Sequence, residues 1–203
     1  MFVPSVGNVY SHALNDGRTV GIRPIRPDDQ ARLRAFHSSL SPDSQYRRFL
    51  GTKPQLSAAD ARYLADIDGC DHVALVATGP ADPGEDAPIV AVARFIRLSD
   101  TPDTAEFAIV VGDSYQRRGL AGELMARLAE AGRERGISRF RASMLAENVA
   151  IRRLMVRLAQ GPVEILQRGP VVELEIELAA GLSARASGSA RRARAMIAGW
   201  AGS

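Results

Sequence analysis

Apolar and polar residues alternate from Thr19 to Ile25, as in a strand with one buried face. The period then turns helical, with Leu33, Phe36 and Leu40 on one face. Pro27-Asp28-Asp29 starts that helix with proline and acids in its first turn. Ser41-Pro42-Asp43 opens a second short helix carrying Tyr46, Phe49 and Leu50. A capping-box-like Ser57-Ala58-Ala59-Asp60 starts a third, which runs to about Ile67. Strands are expected over 72–78, 89–98 and 104–111, with a polar loop over 79–88 and a turn over 99–103. A helix follows to about Arg135, with Leu120, Leu124, Leu128 and Ala131 on one face and Gly136 as its C-cap. Residues 138–145 read as the next strand, and Glu147-Asn148 opens a helix carrying Ile151, Leu154, Met155 and Leu158. Val163 to Leu166 and Val171 to Leu178 form a hairpin over Gln167-Arg168-Gly169-Pro170. The order β, helices, ββ, β, α, β, α, ββ indicates a mixed α/β sheet with helices on its faces.

Three stretches divide the 203 residues: a loose leader over 1–17 that ends at Asn15-Asp16-Gly17, a domain over 18–178, and a linker with a short basic C-terminal helix or tail over 179–203. At 46% hydrophobic and 24% charged the composition is that of a globular protein with a sizeable core. No apolar run approaches a membrane span, and Met1-Phe2-Val3-Pro4 does not open a secretory signal. Cys70 is the single cysteine, which excludes an internal disulfide and fits a reducing, cytoplasmic setting. His12, His37 and His72 lack ligand spacing, so no metal is expected. The net charge of +3 is spread along the chain; it suits an anionic cofactor without requiring nucleic acid or a membrane.

The candidate chemistry lies where the strand ending at Val110-Val111 meets Gly112-Asp113-Ser114-Tyr115 and then Gln116-Arg117-Arg118-Gly119-Leu120-Ala121-Gly122. Small residues at 119, 121 and 122 leave room for a ligand near the first helical amides, which have no partner inside the helix. With the helix dipole and two arginines they make an anion site suited to a pyrophosphate. The spacing is neither that of dinucleotide sites nor that of phosphate loops.

The spacing Gln-x-x-Gly-x-Ala matches a coenzyme A signature, and on it the chain resembles the GNAT superfamily of N-acetyltransferases over about Arg18 to Leu178. Asn148 after the next strand agrees with this. The segments 22–29, 40–49 and 105–111 are most similar to the acetyltransferase domain of bacterial protein-lysine acetyltransferases. Such relatives often carry a fused nucleotide-binding or synthetase-like part, for which this length leaves no room. The resemblance implies a GNAT-like, mostly antiparallel sheet of six to seven strands with helices on both faces. It implies acetyl-CoA as cosubstrate and a primary amine as acceptor, either a protein lysine or a small amine, in a monomer or homodimer.

It further implies pantetheine along the backbone of Ile109, Val110 and Val111, and pyrophosphate at Gln116, Arg117, Arg118, Gly119, Leu120, Ala121 and Gly122. Glu106 is the candidate general base, unless it faces solvent or pairs with Arg94. Asn148 has two readings, a bond to pantetheine or water and a helix N-cap. The tyrosine that many relatives use as general acid is absent from 146–160; Tyr115 suits turn packing, and Ser143 or water is left for the role. Gly-Phe after that helix is replaced by Gln160-Gly161-Pro162-Val163. Glu173, Glu175 and Glu177 form either an acidic groove for a cationic amine or cross-strand pairs with Arg139 and Arg141, the favoured reading. The Arg191-Arg192-Ala193-Arg194 tail reads as a disordered or partner-docking end. A non-catalytic acyl-CoA sensor is the alternative function.

Overall fold

The computed structural model describes residues 9–51, 55–159, 161 and 163–178. The expected basic helix near Ala190–Trp200 lies outside the described residues. The strands are β1 (Tyr10–Ala13), β2 (Thr19–Pro24), β3 (His72–Thr78), β4 (Ile89–Arg97), β5 (Thr104–Val111), β6 (Arg139–Leu145), β7 (Val163–Arg168) and β8 (Val171–Glu177). The helices are α1 (Gln30–Ser39), α2 (Pro42–Phe49), α3 (Ala58–Ala65), α4 (Leu120–Glu134) and α5 (Val149–Leu158). One sheet runs β1-β2-β3-β4-β5-β6-β8-β7.

The sheet has eight strands where six to seven were expected. Tyr10–Ala13, read as part of a loose leader, is an edge strand antiparallel to β2. Its alternation is too short to stand out, but the tight return is closed by the Leu14 N–H donating to Arg18 O at 2.7 Å. Pro27-Asp28-Asp29 is a separate 3-10 turn before α1. Asp29 is wholly buried there and takes both forks of the Arg23 guanidinium, at 2.6 and 2.7 Å. This two-point bond locks the exit of β2 to the start of α1.

The central strands β3 and β4 are buried along nearly their whole length, which requires cover on both faces. Side-chain alternation divides them between two cores. Val73, Leu75 and Ala77 join Leu124, Leu128 and Met155 of α4 and α5. Ala74, Val76 and Val92 join Leu33, Phe36 and Leu64 of α1 and α3 on the other face. β5 enters the same division: Phe107 lies in the α4 core, and Val110 packs against the α1–α3 core.

Candidate active site

All neighbouring strands are antiparallel except β5 and β6, which are parallel and paired over only three rows, Thr104–Arg139, Ala105–Phe140 and Glu106–Arg141. β4 keeps its grip on β5 as far as Val111, and β8 keeps its grip on β6 as far as Leu145. The two strands therefore part beyond Glu106. A cleft of about 1310 Å³ opens between them, lined by β5, β6, the starts of α4 and α5, and parts of α2 and α3.

Register decides which backbone groups face this cleft. The Gly112 N–H donates to Val90 O at 2.8 Å, and Val110 and Ala108 stand opposite Val92 and Arg94. Even-numbered residues of β5 thus spend their backbone on β4. The N–H and C=O of Ile109 and Val111 point the other way, into the gap left by β6. Val111 O accepts the Gln116 side-chain amide at 3.1 Å; the other groups face the cleft. Among the three expected pantetheine contacts Val110 differs. Its backbone pairs with Val92 on β4.

The turn after β5 is a 3-10 segment, Asp113–Tyr115. The helix was expected to open on Arg117–Gly122, but α4 starts at Leu120. Arg117 stands at φ 58° and Gly119 at φ 88°, so the chain passes through the left-handed region twice before the helix. Gly119 is required for that conformation. A side chain there would also meet Asn15 Oδ1 at 3.2 Å, so the turn packs closely against Asn15 at this point while Gly119 lines the cleft. The amides of Leu120, Ala121 and Gly122 begin the helix where no preceding turn supplies acceptors; the next, Glu123 N–H, already donates to Gly119 O.

The two arginines differ. Arg118 is bound to Asp16 at 2.5 Å and to Ser114 O at 2.9 Å, which commits its guanidinium to the turn. Arg117 is exposed and lines the cleft. Gln116 is also committed, donating to Ser44 Oγ and Val111 O at 3.1 Å. Tyr115 packs on the Arg18 guanidinium, 4.3 Å from its ring centre, as turn packing requires. Asn148 caps α5, its side chain accepting from the Ile151 N–H at 3.4 Å, and it is buried at the cleft wall. Both of its readings are thus compatible with its position.

Glu106 stands at the inner end, where the strands begin to part, and it lines the cleft. Burial pushes its carboxyl above the usual glutamate range; Arg48 and Arg141 oppose this and Glu173 adds to it. Arg94 does not pair with it. The Arg94 guanidinium is directed to Leu64 O at 3.1 Å and to His72 Nε2 at 2.9 Å. Arginine only donates, so that histidine nitrogen accepts. Burial and Arg94 bring His72 down to about 3, so the ring is neutral. Burial also lowers Arg94 to about 9 and Arg48 to about 10, and both remain cations at neutral pH. Tyr63 of α3 completes this end; burial raises its phenol, which stays protonated.

Arg94 entered the sequence reading only as a possible partner of Glu106, and nothing local places Arg48 or Tyr63 beside it, because topology alone brings α2, α3 and β4 to the same end of the cleft. Asp113 has partners that its place in a turn does not reveal. It accepts from Ser41 N and Oγ at 2.9 Å and from Ser44 Oγ at 2.7 Å, and so ties α2 to the turn after β5. Burial raises its carboxyl, but these bonds more than reverse that and hold it below the usual range. In the glutamate row on β8, Glu175 pairs across the strands, meeting Arg141 at 2.8 Å and Arg139 at 3.7 Å. Glu173 is the member that lines the cleft.

Among the described residues no group of three or more His, Cys, Asp and Glu side chains is placed to hold a metal ion, and no helix is long and apolar enough to cross a membrane.

The family model described as acetyltransferase (GNAT) domain matches residues 19–159. The chain is 34% identical over 157 residues to acetyltransferase Pat of Mycolicibacterium smegmatis, covering 77% of this chain and 45% of that protein. It is 34% identical over 157 residues to acetyltransferase PA5475 of Pseudomonas aeruginosa, covering 77% of this chain and 83% of that one. It thus spans less than half of the first relative and most of the second. The crystal structure of the GNAT domain of S. lividans PAT superposes with a TM-score of 0.73 at 34% identity, covering 84% of this chain and 97% of that chain.

Proposed function

The chain belongs to the GNAT family of acetyltransferases, and on that premise we propose that it moves an acetyl group from acetyl-CoA to a primary amine by direct attack of the amine on the thioester. The observation that carries this reading is the parting of β5 from β6. It leaves backbone without a strand partner leading from Glu106, past Ile109 and Val111, to the open amides of α4.

The cleft has the chemistry that coenzyme A requires. Ile109 and Val111 offer a strand edge to the amides of pantetheine, in the manner of an added β-strand. Leu120, Ala121 and Gly122 offer N–H groups at a helix N-terminus to the pyrophosphate, with the Arg117 cation beside them. Gln116, Arg118 and Gly119 hold the shape of that turn. The Asn148 side-chain amide adds a donor at the pantetheine wall. When bound, the thioester supplies an acetyl group activated toward nucleophiles.

The protein's own part is the proton and the charge. An alkylammonium with a pKa near ~10.4 costs about 4–5 kcal/mol to present uncharged at neutral pH. Glu106 receives that proton, its raised pKa bringing it closer to the operating pH. Arg48 and Arg94 disfavour a second cation at this end and so lower the cost of the neutral amine. The Ile109 N–H is placed to hold the acyl oxygen as its negative charge grows. The acceptor is a protein lysine or a small amine of similar reach, and Glu173 provides a carboxylate for a neighbouring cation.

The test is release of coenzyme A from acetyl-CoA in the presence of lysine-containing peptides and small amines. Turnover that is lost in Glu106→Gln while acetyl-CoA binding persists supports the enzyme. Binding without turnover across the panel refutes it and leaves an acyl-CoA sensor.

A further inference from the structure

Arg48 and Arg94 line the cleft with more hydrogen-bonding capacity than the fold uses. Arg94 is 4% exposed. Its Nη1 group serves Leu64 O and His72 Nε2, while Nε and Nη2 have no hydrogen-bond partner among the described residues. The Arg48 guanidinium lies over the Phe49 ring, 4.9 Å from its centre, and makes no hydrogen bond or ion pair among the described residues. Other arginines of this wall are committed, Arg97 to Asp71 and Arg141 to Glu175.

Burial weakens both cations, and Arg48 further opposes Arg94. Glu106 is the carboxylate that acts on Arg48, and none acts on Arg94. A buried guanidinium without an anion is costly, and a carboxylate can meet it at two points. Arg94 stands opposite Ala108, which makes it the diagonal neighbour of Glu106 on one face, about 7–8 Å away. Tyr63 adds a protonated phenol at the same end. An amine held at Glu106 therefore has its own next few bonds beside these donors. Glu173 acts on Glu106 and on neither arginine, so a cation and an anion of one acceptor have separate places. The two glutamates disfavour a doubly charged phosphate here, which leaves a carboxylate as the fitting anion.

We infer that Arg48 and Arg94 bind a carboxylate that the acceptor carries close to its amine, as in a free amino acid or in an acidic residue flanking a lysine. The inference rests on the acetyl-transfer reading above and names its class of acceptor.

Initial rates of coenzyme A release test it, with β-alanine and γ-aminobutyrate against their neutral amides, and with lysine peptides flanked by glutamate against the same peptides flanked by glutamine. The acid of at least one kind of pair should exceed its neutral counterpart in kcat/KM by about 10- to 100-fold, as for hydrogen bonds to a charged group. A preference confined to the small acids identifies a free amino acid, and one confined to the peptides identifies an acidic flank. Arg48→Gln should bring the ratio close to one, and Arg48→Lys, which keeps the charge without the fork, should retain part of it. Butyrate, a carboxylate with no amine, should compete with the amine and not with acetyl-CoA, which serves if the glutamine variant does not fold. A ratio of one in both kinds of pair, or a preference that survives Arg48→Gln, overturns the inference while acetyl transfer stands. If coenzyme A binds and no amine is acetylated, the acetyl-transfer reading fails and this inference falls with it.

Discussion

The two ends of the cleft are built from different material. The end proposed to hold the donor is mostly backbone: the strand edge at Ile109 and Val111, and the first amides of α4. The end proposed to receive the acceptor is mostly side chains, with Glu106, Arg48, Tyr63 and Arg94 brought in from four separate elements. A backbone site is fixed by local conformation, and its shape is written in a short run of sequence. A side-chain site depends on which elements meet, and its character follows from burial and from the charges that burial leaves together. The carboxyl shifts reflect this contrast. Asp113, in the turn that leads to the donor end, sits below its ordinary range, while Glu106 sits above it.

The largest expected effect is at the acceptor end. Glu106→Gln should lower kcat by about 100- to 10,000-fold with acetyl-CoA affinity unchanged, as for loss of a general base. Because its folded pKa is raised, the wild-type rate should fall with decreasing pH at values above the ordinary glutamate range near ~4.3. A pH–rate profile with that limb unchanged in the glutamine variant would assign it elsewhere.

Next in size is Gly122→Glu at the donor end, where a side chain has open space, its nearest neighbour being Leu154 at 3.9 Å. Acetyl-CoA affinity should drop roughly 100-fold. The variant offsets a helix-terminus interaction worth up to about 2 kcal/mol and adds repulsion between like charges. An undiminished titration heat in the folded variant would separate the amides from the cofactor.

Asp113→Ala probes the joint between the ends. Losing its bonds to Ser41 and Ser44 should destabilise the fold by about 2–3 kcal/mol and release α2, which carries Arg48. The Michaelis constant for the amine should then rise while that for acetyl-CoA holds. The wild-type bonds persist above the usual carboxylate range, since the Asp113 pKa is lowered, and are lost only as pH falls through its depressed value. Acid should therefore reduce the rate through Glu106 before it loosens α2. The smallest effect is that of Arg117→Ala, up to about fivefold in acetyl-CoA affinity, as for an exposed ion contact. That difference should shrink as salt is added.

The same contrast explains what could be read in the chain beforehand. The turn from Val111 to Gly122 was legible because strand, glycine and helix start are adjacent in sequence. The strands β3 to β6 were legible as apolar or alternating runs, α1, α4 and α5 from their helical period, and α2 and α3 from the residues that open them, Ser41-Pro42-Asp43 and Ser57-Ala58-Ala59-Asp60. β1 was missed because four residues are too few to show alternation, and its return over Asn15-Asp16-Gly17 looked like the end of a tail. That return is part of the donor end, through Asp16 on Arg118 and the Asn15 N–H on Arg118 O. Arg117 and Arg118 look alike in sequence, yet one is free to the cleft and the other is held by Asp16. Arg94 lies within an apolar strand, where nothing local reveals its partners His72 and Leu64.

Amide hydrogen exchange with and without coenzyme A tests the central claim most directly, because the claim concerns particular N–H groups. Binding should slow exchange at Ile109, Val111, Leu120, Ala121 and Gly122, and leave Val110, already paired with Val92, unchanged. Saturating coenzyme A that leaves those five amides exchanging at their free rates would contradict the account.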